Sequence, residues 1–355
     1  MARRSHRRRK HGFASWSIGK KLGVILGGTF AAVAATGVVL VASKMRKIET
    51  TELDTETSEE QETGYLNVAL FGLDSREGDL GKGNRSDTMM IASLNKATGE
   101  VKLVSVYRDT LLELDDGSYN KANAAYAFGG PEGAISMINR SMDMDISKYV
   151  AVNFNALVDV IDALGGLDIT LTDAEVVHMN NYCVETSKVT GADYTKIEPE
   201  VAGTYHLNGV QAVSYSRIRY TGGGDFERTS RQRHVLELIA EKAQSASFST
   251  LNKIIDKVFP QVSTNFTIAE MIAYAKNIAK YKLGDSMGFP DNNSFDMLDV
   301  VGSVVIPETL TSNVEDVHKF LFGDDGYTIS SNITDMEAGI REKCTHKATS
   351  DSVIE

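Results

Sequence analysis

A short segment rich in arginine is the part of this sequence best equipped for chemistry. Residues 217–233, RIRYTGGGDFERTSRQR, contain five arginines and three consecutive glycines. Arginine binds phosphate or carboxylate oxygens through two parallel N–H donors. Arg228, Arg231 and Gln232 have the spacing i, i+3, i+4, which predicts one shared face in the first turn of a helix. Backbone amides at a helix N-terminus also attract anions, so we interpret the segment as a site for a phosphate-bearing ligand.

The distribution of charge favours this interpretation. The chain of 355 residues has a formal net charge of -11, yet its first 47 residues contain eleven Lys and Arg and no Asp or Glu. The rest of the chain holds 26 basic against 48 acidic residues, and only ten of the 26 are arginine. Eight of these ten lie in four short segments. Ion pairs with surface carboxylates are the alternative explanation, but such pairs contribute only about 0 to 1 kcal/mol and need no such concentration.

Acidic residues accompany the arginines at the ends of predicted strands. A hairpin is predicted from strands 89–94 and 101–107, with Asp87 before the first strand and Arg108 after the second. The start of one antiparallel strand and the end of its partner lie at the same edge of a sheet, so we expect Asp87 and Arg108 to be neighbours. The alternative is that Asp87 and Asp109 cap turns and Arg108 pairs with one of them.

A third strand, predicted over residues 66–73, ends immediately before Asp74. If it runs parallel to 101–107, Asp74 joins Asp87 at the edge where ligands of open α/β sheets bind. Carboxylates repel an anion unless a cation lies between them, and Mg²⁺ characteristically bridges one or two carboxylates to phosphate oxygens. The sequence contains no GxSxG, HExxH, CxxC or Walker motif. These observations favour Mg²⁺-assisted phosphoryl transfer, which needs positioning and charge neutralisation.

Strand and helix patterns alternate along the chain, which predicts an α/β fold: a single α-β-α sandwich domain with a central mixed sheet and helices on both faces. Asn155 is expected to cap a helix, and the polar residues 173–204 are expected to form an irregular surface segment. Further strands are predicted over 149–154, 167–171 and 299–306, and helices over 121–130, 131–140, 206–216, 228–246 and 266–282.

The N-terminal sequence predicts a membrane anchor. Residues 22–43 carry no formal charge, and 22 helical residues at ~1.5 Å each would cover roughly 33 Å, enough for the hydrocarbon core of a bilayer. The larger basic cluster precedes this segment, which predicts a cytoplasmic N-terminus and an extracellular remainder. A cleaved signal peptide is the alternative, although its apolar region usually has only about 7 to 15 residues. The predicted organisation is a basic cytoplasmic segment 1–21, a transmembrane helix 22–43, an acidic tether 44–63, an extracellular domain 64–345 and a disordered tail 346–355.

Six ordered motifs resemble those of the LytR-CpsA-Psr family. They cover roughly residues 65–245 and, as an ordered set, are specific to that family. The predicted membrane anchor agrees with the resemblance. The motifs are Gly72-Leu73-Asp74-Ser75-Arg76, Arg85-Ser86-Asp87-Thr88, Tyr107-Arg108-Asp109, Asn120-Lys121-Ala122-Asn123-Ala124-Ala125-Tyr126, Arg217-Ile218-Arg219 and Asp225-Phe226-Glu227-Arg228-Thr229-Ser230-Arg231-Gln232.

The resemblance implies a cell-wall glycopolymer ligase. Such an enzyme transfers a teichoic acid or capsular polysaccharide from a polyprenyl-pyrophosphate carrier to a peptidoglycan hydroxyl, and a hydrophobic tunnel for the prenyl chain is expected. By motif, Asp74 and Asp87 would hold Mg²⁺, and the expected catalytic residues are Arg108, Asp109 and Asp225. The residues expected to bind the pyrophosphate are Arg76, Arg85, Arg108, Arg217, Arg219, Arg228, Arg231 and Gln232.

Two other functions share these features. A polyprenyl-phosphate hydrolase or binding module would use the same arginines, and a membrane-bound regulator is the family's older description. The basic arm of residues 1–10 is explained by membrane orientation, so no nucleic-acid partner is expected. The expected partners are the polyprenyl-pyrophosphate-linked glycan, peptidoglycan and the cell membrane. Arg233 departs from the family pattern, in which many members carry a second Gln, and its role is open.

Overall fold

The computed structural model describes residues 49–50, 64–73, 80–221, 224–244, 246–277, 280–323 and 326–344. The predicted cytoplasmic segment, transmembrane helix and tail, and most of the tether, lie outside these residues. Within them, no helix is both long enough and apolar enough to cross a membrane.

Strands and helices alternate through the described part of the chain. The strands are β1 (Glu49–Thr50), β2 (Tyr65–Leu73), β3 (Ser86–Asn95), β4 (Glu100–Val106), β5 (Leu111–Glu113), β6 (Tyr119–Lys121), β7 (Lys148–Asn153), β8 (Leu167–Leu171), β9 (Gly203–Leu207), β10 (Val262–Thr264), β11 (Lys282–Phe289), β12 (Asn293–Leu298) and β13 (Gly302–Pro307). The helices are α1 (Ala122–Met142), α2 (Phe154–Ala163), α3 (Asp173–Thr190), α4 (Gly209–Ser216), α5 (Gly224–Gln244), α6 (Phe248–Val258), α7 (Ile268–Lys276), α8 (Leu310–Phe322) and α9 (Ser331–Lys343).

A mixed sheet forms the centre of the domain, as predicted. Its seven described strands have the order β1-β10-β7-β2-β3-β4-β11. β3 is antiparallel to both β2 and β4, so β2 and β4 run in the same direction, and β7 is parallel to β2. Leu73 pairs with both Ser86 and Asn153, which brings the ends of β2 and β7 and the start of β3 together. We call this end of the sheet, from Asn153 across Leu73 and Ser86 to the end of β4, the site edge.

The first two predicted helices after the hairpin meet at the predicted glycine pair. They are continuous in α1 except at Gly130, where φ is 68° and the helix kinks. Glycine adopts positive φ at little cost, and Pro131 is tolerated because it begins the next helical segment. The cap predicted at Asn155 was wrong. Asn153 caps α2 instead, because its side chain accepts a hydrogen bond from the Ala156 amide at 2.9 Å.

The expectation of an irregular segment over 173–204 was wrong for its first half. Residues 173–190 form α3, which begins with reciprocal hydrogen bonds between Thr172 and Glu175. This capping box is a sequence signature of a helix start. The helix buries only a narrow stripe that includes Met179 and Cys183, so its polar composition concealed the helical periodicity.

One helix prediction needed correction, and two predicted strands are confirmed but lie outside the central sheet. α7 ends at Lys276, and Lys282 to Phe289 form the edge strand β11 rather than the end of a helix. The strand predicted over 299–306 is β13, which pairs with β12 in a separate two-stranded ribbon. The predicted strand 167–171 is β8, and it pairs with β9 outside the central sheet. Local apolar patterns identify a strand but not the sheet to which it belongs.

The two faces of the central sheet are covered by different sets of helices. On the packed face, Phe71, Met89 and Val104 of the sheet contact one large buried cluster that includes residues of α1, α8 and α9. On the hollow face, Leu70 and Met90 belong to a smaller cluster with residues of α5. The helices α2, α4 and α6 extend the hollow-face layer through a third cluster. The arrangement is an α-β-α sandwich.

Candidate active site

A β-bulge presents Asp87 at the site edge. Gly72 pairs with Thr88 and Leu73 pairs with Ser86, so Asp87 is an extra residue without a register partner on β2. A bulge bends its strand and redirects one side chain, and bulges are common next to functional sites. A Cβ on Gly72 would lie 3.0 Å from the Thr88 Cβ, so the close approach of the strands favours glycine there.

Arginines from three parts of the chain surround Asp87. Arg108 donates to its Oδ1 at 2.7 Å, and an Arg219 guanidinium nitrogen lies 3.5 Å from Oδ2. Arg228, of which only 2% is exposed, donates to the Asp87 backbone carbonyl at 3.3 Å. Burial acts to raise the pKa of Asp87, but Arg108, Arg228 and Arg219 outweigh it and hold this pKa below 3.8. Asp87 is therefore ionised at neutral pH, and the predicted contact with Arg108 is confirmed.

The segment after β4 holds Arg108 in place. The carboxylate of Asp109 lies 3.4 Å from Arg108 Nε and 2.9 Å from the Lys121 ammonium. The Arg108 carbonyl accepts the Asn123 amide at 3.0 Å, and the Asp109 carbonyl accepts the Val305 amide at 2.9 Å. Strand β13 and the start of α1 therefore support this segment from two sides.

Arg217 follows α4 and is fixed by four side chains. Its guanidinium donates to Thr186 at 2.9 Å and to Glu185 at 3.0 Å. It also lies 4.8 Å from the ring centroid of Phe154 and 5.5 Å from that of Tyr182. Aromatic faces attract guanidinium groups, so this arrangement orders Arg217 before any ligand binds.

The arginines of α5 have different surroundings. Arg228 and Gln232 line a cavity, whereas Arg231 donates to Glu175 at 2.9 Å, to Glu227 at 2.9 Å and to the Ile218 carbonyl at 3.2 Å. Arg233 donates to Ser105 Oγ of β4 at 3.2 Å. Arg231 and Arg233 thus connect α5 to the rest of the domain.

A cavity of about 430 Å³ lies between the hollow face and its helices. It extends from Leu66 to Leu73 of β2, eight residues whose seven steps of ~3.3 Å span roughly 23 Å. Its lining is mainly apolar, and its polar lining residues are concentrated at the site edge. Those polar residues include Asp87, Thr88, Glu185, Arg217, Arg219, Arg228 and Gln232.

The family assignment rests on more than half of the chain. The model of the LytR_cpsA_psr family matches residues 35–297. The chain belongs to the LytR-CpsA-Psr family.

Two sequence relatives carry the name "polyisoprenyl-teichoic acid–peptidoglycan teichoic acid transferase TagU". The Bacillus mycoides protein is 32% identical over 225 residues, which cover 62% of this chain and 67% of the relative. The Enterococcus faecalis protein is 31% identical over 267 residues, 72% of this chain and 82% of the relative.

Solved structures show the same fold. Bacillus subtilis TagV is 26% identical with a TM-score of 0.56, and the match covers 76% of this chain and 100% of the chain in that structure. TagT bound to LI-WTA is 21% identical with a TM-score of 0.59, and the match covers 78% of this chain and 100% of the chain in that structure.

Some residues that the family resemblance singles out are not placed. Asp74 and Arg76 lie outside the described residues, as does the side chain of Asp225. Arg85 is described and exposed. Their assigned roles stay predictions.

Sequence reasoning missed three residues at the cavity mouth. Phe154, Tyr182 and Glu185 line the mouth and contact Arg217. The capping box at Thr172 would have revealed the helix that carries two of them. No local signal indicates that this helix meets Arg217, because the two segments are about thirty residues apart in sequence.

One described carboxylate has the chemistry of a magnesium ligand. The ionised Asp87 oxygens are the hard donors that Mg²⁺ prefers, and they lie where phosphate would meet the arginines. Among the described residues, no group of three or more His, Cys, Asp or Glu is placed to hold a metal ion. Asp87 fits as one ligand, and Asp74 stays the predicted second.

Proposed function

We propose that this chain is a transferase that attaches a teichoic acid to peptidoglycan. It takes the polymer from a polyprenyl-pyrophosphate carrier and joins it to a sugar hydroxyl through a phosphodiester. The observation that carries this proposal is the apolar cavity of about 430 Å³ that opens among Arg217, Arg219 and Arg228. The TagU relatives are named for the same donor, acceptor and transferred group. A capsular polysaccharide is the alternative cargo.

The cavity and its mouth match the two parts of such a carrier. A prenyl chain gains free energy by leaving water, and the lining from Leu66 to Leu70 and from Val101 to Leu103 offers it an apolar surface. A pyrophosphate at the mouth would meet the guanidinium groups of Arg217, Arg219 and Arg228, which form charge-assisted hydrogen bonds with phosphate oxygens.

Transfer replaces one bond to phosphorus by another. The acceptor oxygen bonds to the phosphorus that carries the glycopolymer, the bond from that phosphorus to the bridging oxygen breaks, and polyprenyl phosphate leaves. Negative charge on the phosphoryl oxygens is stabilised by arginines already in position. Asp109 is engaged by Arg108 and Lys121, so we assign it to the orientation of Arg108. Asp225 stays our prediction for the group that accepts the hydroxyl proton.

Mg²⁺, when bound, would neutralise pyrophosphate charge that the arginines leave uncompensated. We assign Asp87 to hold it, with Asp74 as the second ligand. Arg108 and Arg219 keep the Asp87 carboxylate ionised and oriented, which is the state in which it binds a cation.

We further propose that residues 22–43 anchor the chain in the cell membrane. The basic residues before this segment keep the N-terminus in the cytoplasm, and the domain lies outside the cell. This location places the cavity where a membrane-borne prenyl carrier and peptidoglycan are both accessible.

The direct test uses the full chain in detergent micelles with Mg²⁺. The donor is a short polyprenyl-pyrophosphoryl oligosaccharide, the acceptor is a peptidoglycan fragment, and products are identified by mass spectrometry. We expect a sugar-phosphate-peptidoglycan adduct that disappears with chelator. Polyprenyl phosphate without adduct would indicate a hydrolase, and donor binding without turnover would indicate a binding module.

Asp87→Asn is the decisive variant in this assay. It removes the negative charge but keeps the shape, and we expect transfer to fall at least about a hundredfold, as for other preorganised electrostatic groups. Asp115→Asn is the matched control, since Asp115 is a half-exposed carboxylate paired with Arg140 away from the cavity. Equal activity in the two variants would remove Asp87 from the site.

A shortened chain without residues 1–10 distinguishes the regulatory alternative. A transferase keeps its turnover without the basic arm, because the arm contributes only to membrane orientation. A regulator that acts through this arm loses its function.

A further inference from the structure

An exposed apolar ledge borders the candidate active site. We define the aromatic ledge as Phe226, Phe295 and Met297. Phe295 is 59% exposed and Met297 is 68% exposed, and they point to the same side of β12 because they are two residues apart. None of the three lines the cavity. The ledge is therefore a separate surface from the proposed prenyl site.

Ring contacts connect the ledge to the arginine cluster. Phe295 contacts Phe226 with ring centroids 5.9 Å apart, and Phe226 contacts Tyr107 edge-on at 4.5 Å. Tyr107 is buried and directly precedes Arg108, the residue that holds Asp87. The ledge therefore contacts the residue next to Arg108, at the site edge.

The ribbon that carries Phe295 and Met297 is also fixed to the site edge by its backbone. The Val305 amide donates to the Asp109 carbonyl at 2.9 Å, and Val305 pairs with Phe295 across the ribbon. Thr110 forms a further bridge with Val305. A molecule bound on Phe295 would therefore keep a fixed position relative to Arg108.

Charge decides which molecule suits the ledge. Residues 291–308, which comprise β12, β13 and their flanking residues, contain four Asp and Glu and no Lys or Arg. This acidic surface repels a polyanionic polymer and an anionic lipid surface alike. Uncharged sugar rings meet no such repulsion, and their C–H faces pack on aromatic and thioether groups.

We propose that the aromatic ledge binds the sugar rings of the peptidoglycan acceptor and directs a hydroxyl toward Asp87 and Arg108. The inference rests on the proposed transferase function and adds the acceptor side of the same site. The donor occupies the cavity and the acceptor lies on the ledge, so the Asp87–Arg108 pair lies between them. The arginines at the cavity mouth attract the anionic polymer, and the acidic ribbon repels it. The polymer therefore does not bind on the ledge.

The test measures acceptor binding directly, without turnover. The full chain in micelles is titrated with the tetrasaccharide of N-acetylglucosamine, an uncharged analogue of the peptidoglycan glycan strand, and binding is measured by calorimetry. We expect Phe295→Ala to weaken binding about tenfold, the loss of one aromatic contact. Phe295→Trp restores affinity because it keeps a ring, and Met297→Ala has a smaller effect than Phe295→Ala. Polyprenyl-pyrophosphate affinity stays unchanged in all three.

Phe128→Ala is the matched control, because Phe128 is 65% exposed and lies on α1 rather than on the ribbon. Equal acceptor affinity in Phe128→Ala and Phe295→Ala overturns the proposal. So does a loss of vesicle binding in Phe295→Ala with unchanged tetrasaccharide affinity, since the ledge would then contact lipid. If wild type binds both substrates but forms no adduct, the transferase function fails, and the affinity difference between the variants still decides the role of the ledge.

In turnover, the same variants separate binding from chemistry. Phe295→Ala raises the KM for the peptidoglycan fragment about tenfold and leaves kcat at saturating acceptor near wild type. A fall in kcat with unchanged KM contradicts acceptor binding by the ledge.

Discussion

The two faces of the central sheet are built for different purposes. On the packed face, Phe71 and Val104 meet α1 and α8 in one continuous buried cluster. On the hollow face, Leu70 and Leu103 line a cavity of about 430 Å³ beneath α5. Dense packing maximises dispersion contacts, whereas an open cavity gives up such contacts on one side of each lining residue. We infer that the packed face supplies more stability and the hollow face supplies space for a ligand.

Polar contacts add to apolar packing in holding α5, the helix that covers the cavity on the hollow face. Arg231 of α5 pairs with Glu175 of α3 at 2.9 Å, and Arg233 donates to Ser105 of β4 at 3.2 Å. Lys242, near the C-terminal end of α5, donates to the Gly166 carbonyl at 2.5 Å. These contacts fix α5 near its middle and near its C-terminal end, while Val235, Leu236 and Ile239 of the same helix line the cavity.

The largest expected effect is the loss of stability on truncation of a buried leucine, which we compare between one leucine on each face. Leu310→Ala, on the packed face, should lower the free energy of unfolding by about 4 kcal/mol, within the usual range for a buried leucine. Leu103→Ala, at the cavity wall, should cost about 2 kcal/mol because fewer neighbours lose contacts. Urea denaturation followed by circular dichroism measures both. Equal losses would contradict the difference between the faces.

Two arginine variants test how much the polar contacts of α5 stabilise the fold. Arg231 is 7% exposed, so Arg231→Ala should destabilise the domain by about 3 kcal/mol, because it leaves Glu175 without its cation. The side chain of Arg219 is 36% exposed, so Arg219→Ala should cost less than about 1 kcal/mol of stability.

The same two variants should distinguish an arginine that stabilises the fold from one that binds the ligand. We expect polyprenyl-pyrophosphate affinity to fall about tenfold in Arg219→Ala, through the loss of a charge-assisted hydrogen bond. Thermal unfolding and donor titration of both variants provide the measurements. If Arg219→Ala is less stable than Arg231→Ala, then Arg219 rather than Arg231 stabilises the fold.

A larger side chain in the cavity should reduce donor binding without unfolding the protein. Leu236→Trp places a larger side chain at the cavity wall, and donor affinity should fall about a hundredfold while the protein stays folded. Glu241→Trp, on the exposed side of the same helix, is the control. Unchanged donor binding in Leu236→Trp would place the prenyl chain elsewhere.

The smallest expected effect is the change in stability at acidic pH. The pKa of Asp87 is lowered in the folded protein, so its ion pairs stabilise the fold above the ordinary value of 3.8 and are lost as pH falls through the lower folded value. Wild type should therefore lose more stability than Asp87→Asn between about pH 5 and pH 3. Unfolding free energies across this range provide the check. Parallel curves would mean that these ion pairs contribute no pH-dependent stability.

Local sequence patterns predicted the site edge because the necessary information is local. Strands β2, β3 and β4 each have an apolar run bounded by turn residues, and antiparallel pairing then requires Asp87 and Arg108 to meet. The same reasoning failed for α3, whose buried stripe is too narrow to give a periodic signal. It also placed Arg228 and Arg231 in one role, although the structure gives them different partners.

The sequence by itself determined the family, the mixed α/β fold and the identity of most charged residues at the site edge, because ordered motifs and strand patterns are properties of short segments. Only the tertiary structure decided which apolar residues line a cavity and which fill a core. Leu103 and Leu310 are both buried leucines, yet one faces open space and the other faces packed neighbours. That difference depends on how closely the covering helices approach the sheet, which is set by contacts between segments far apart in the chain.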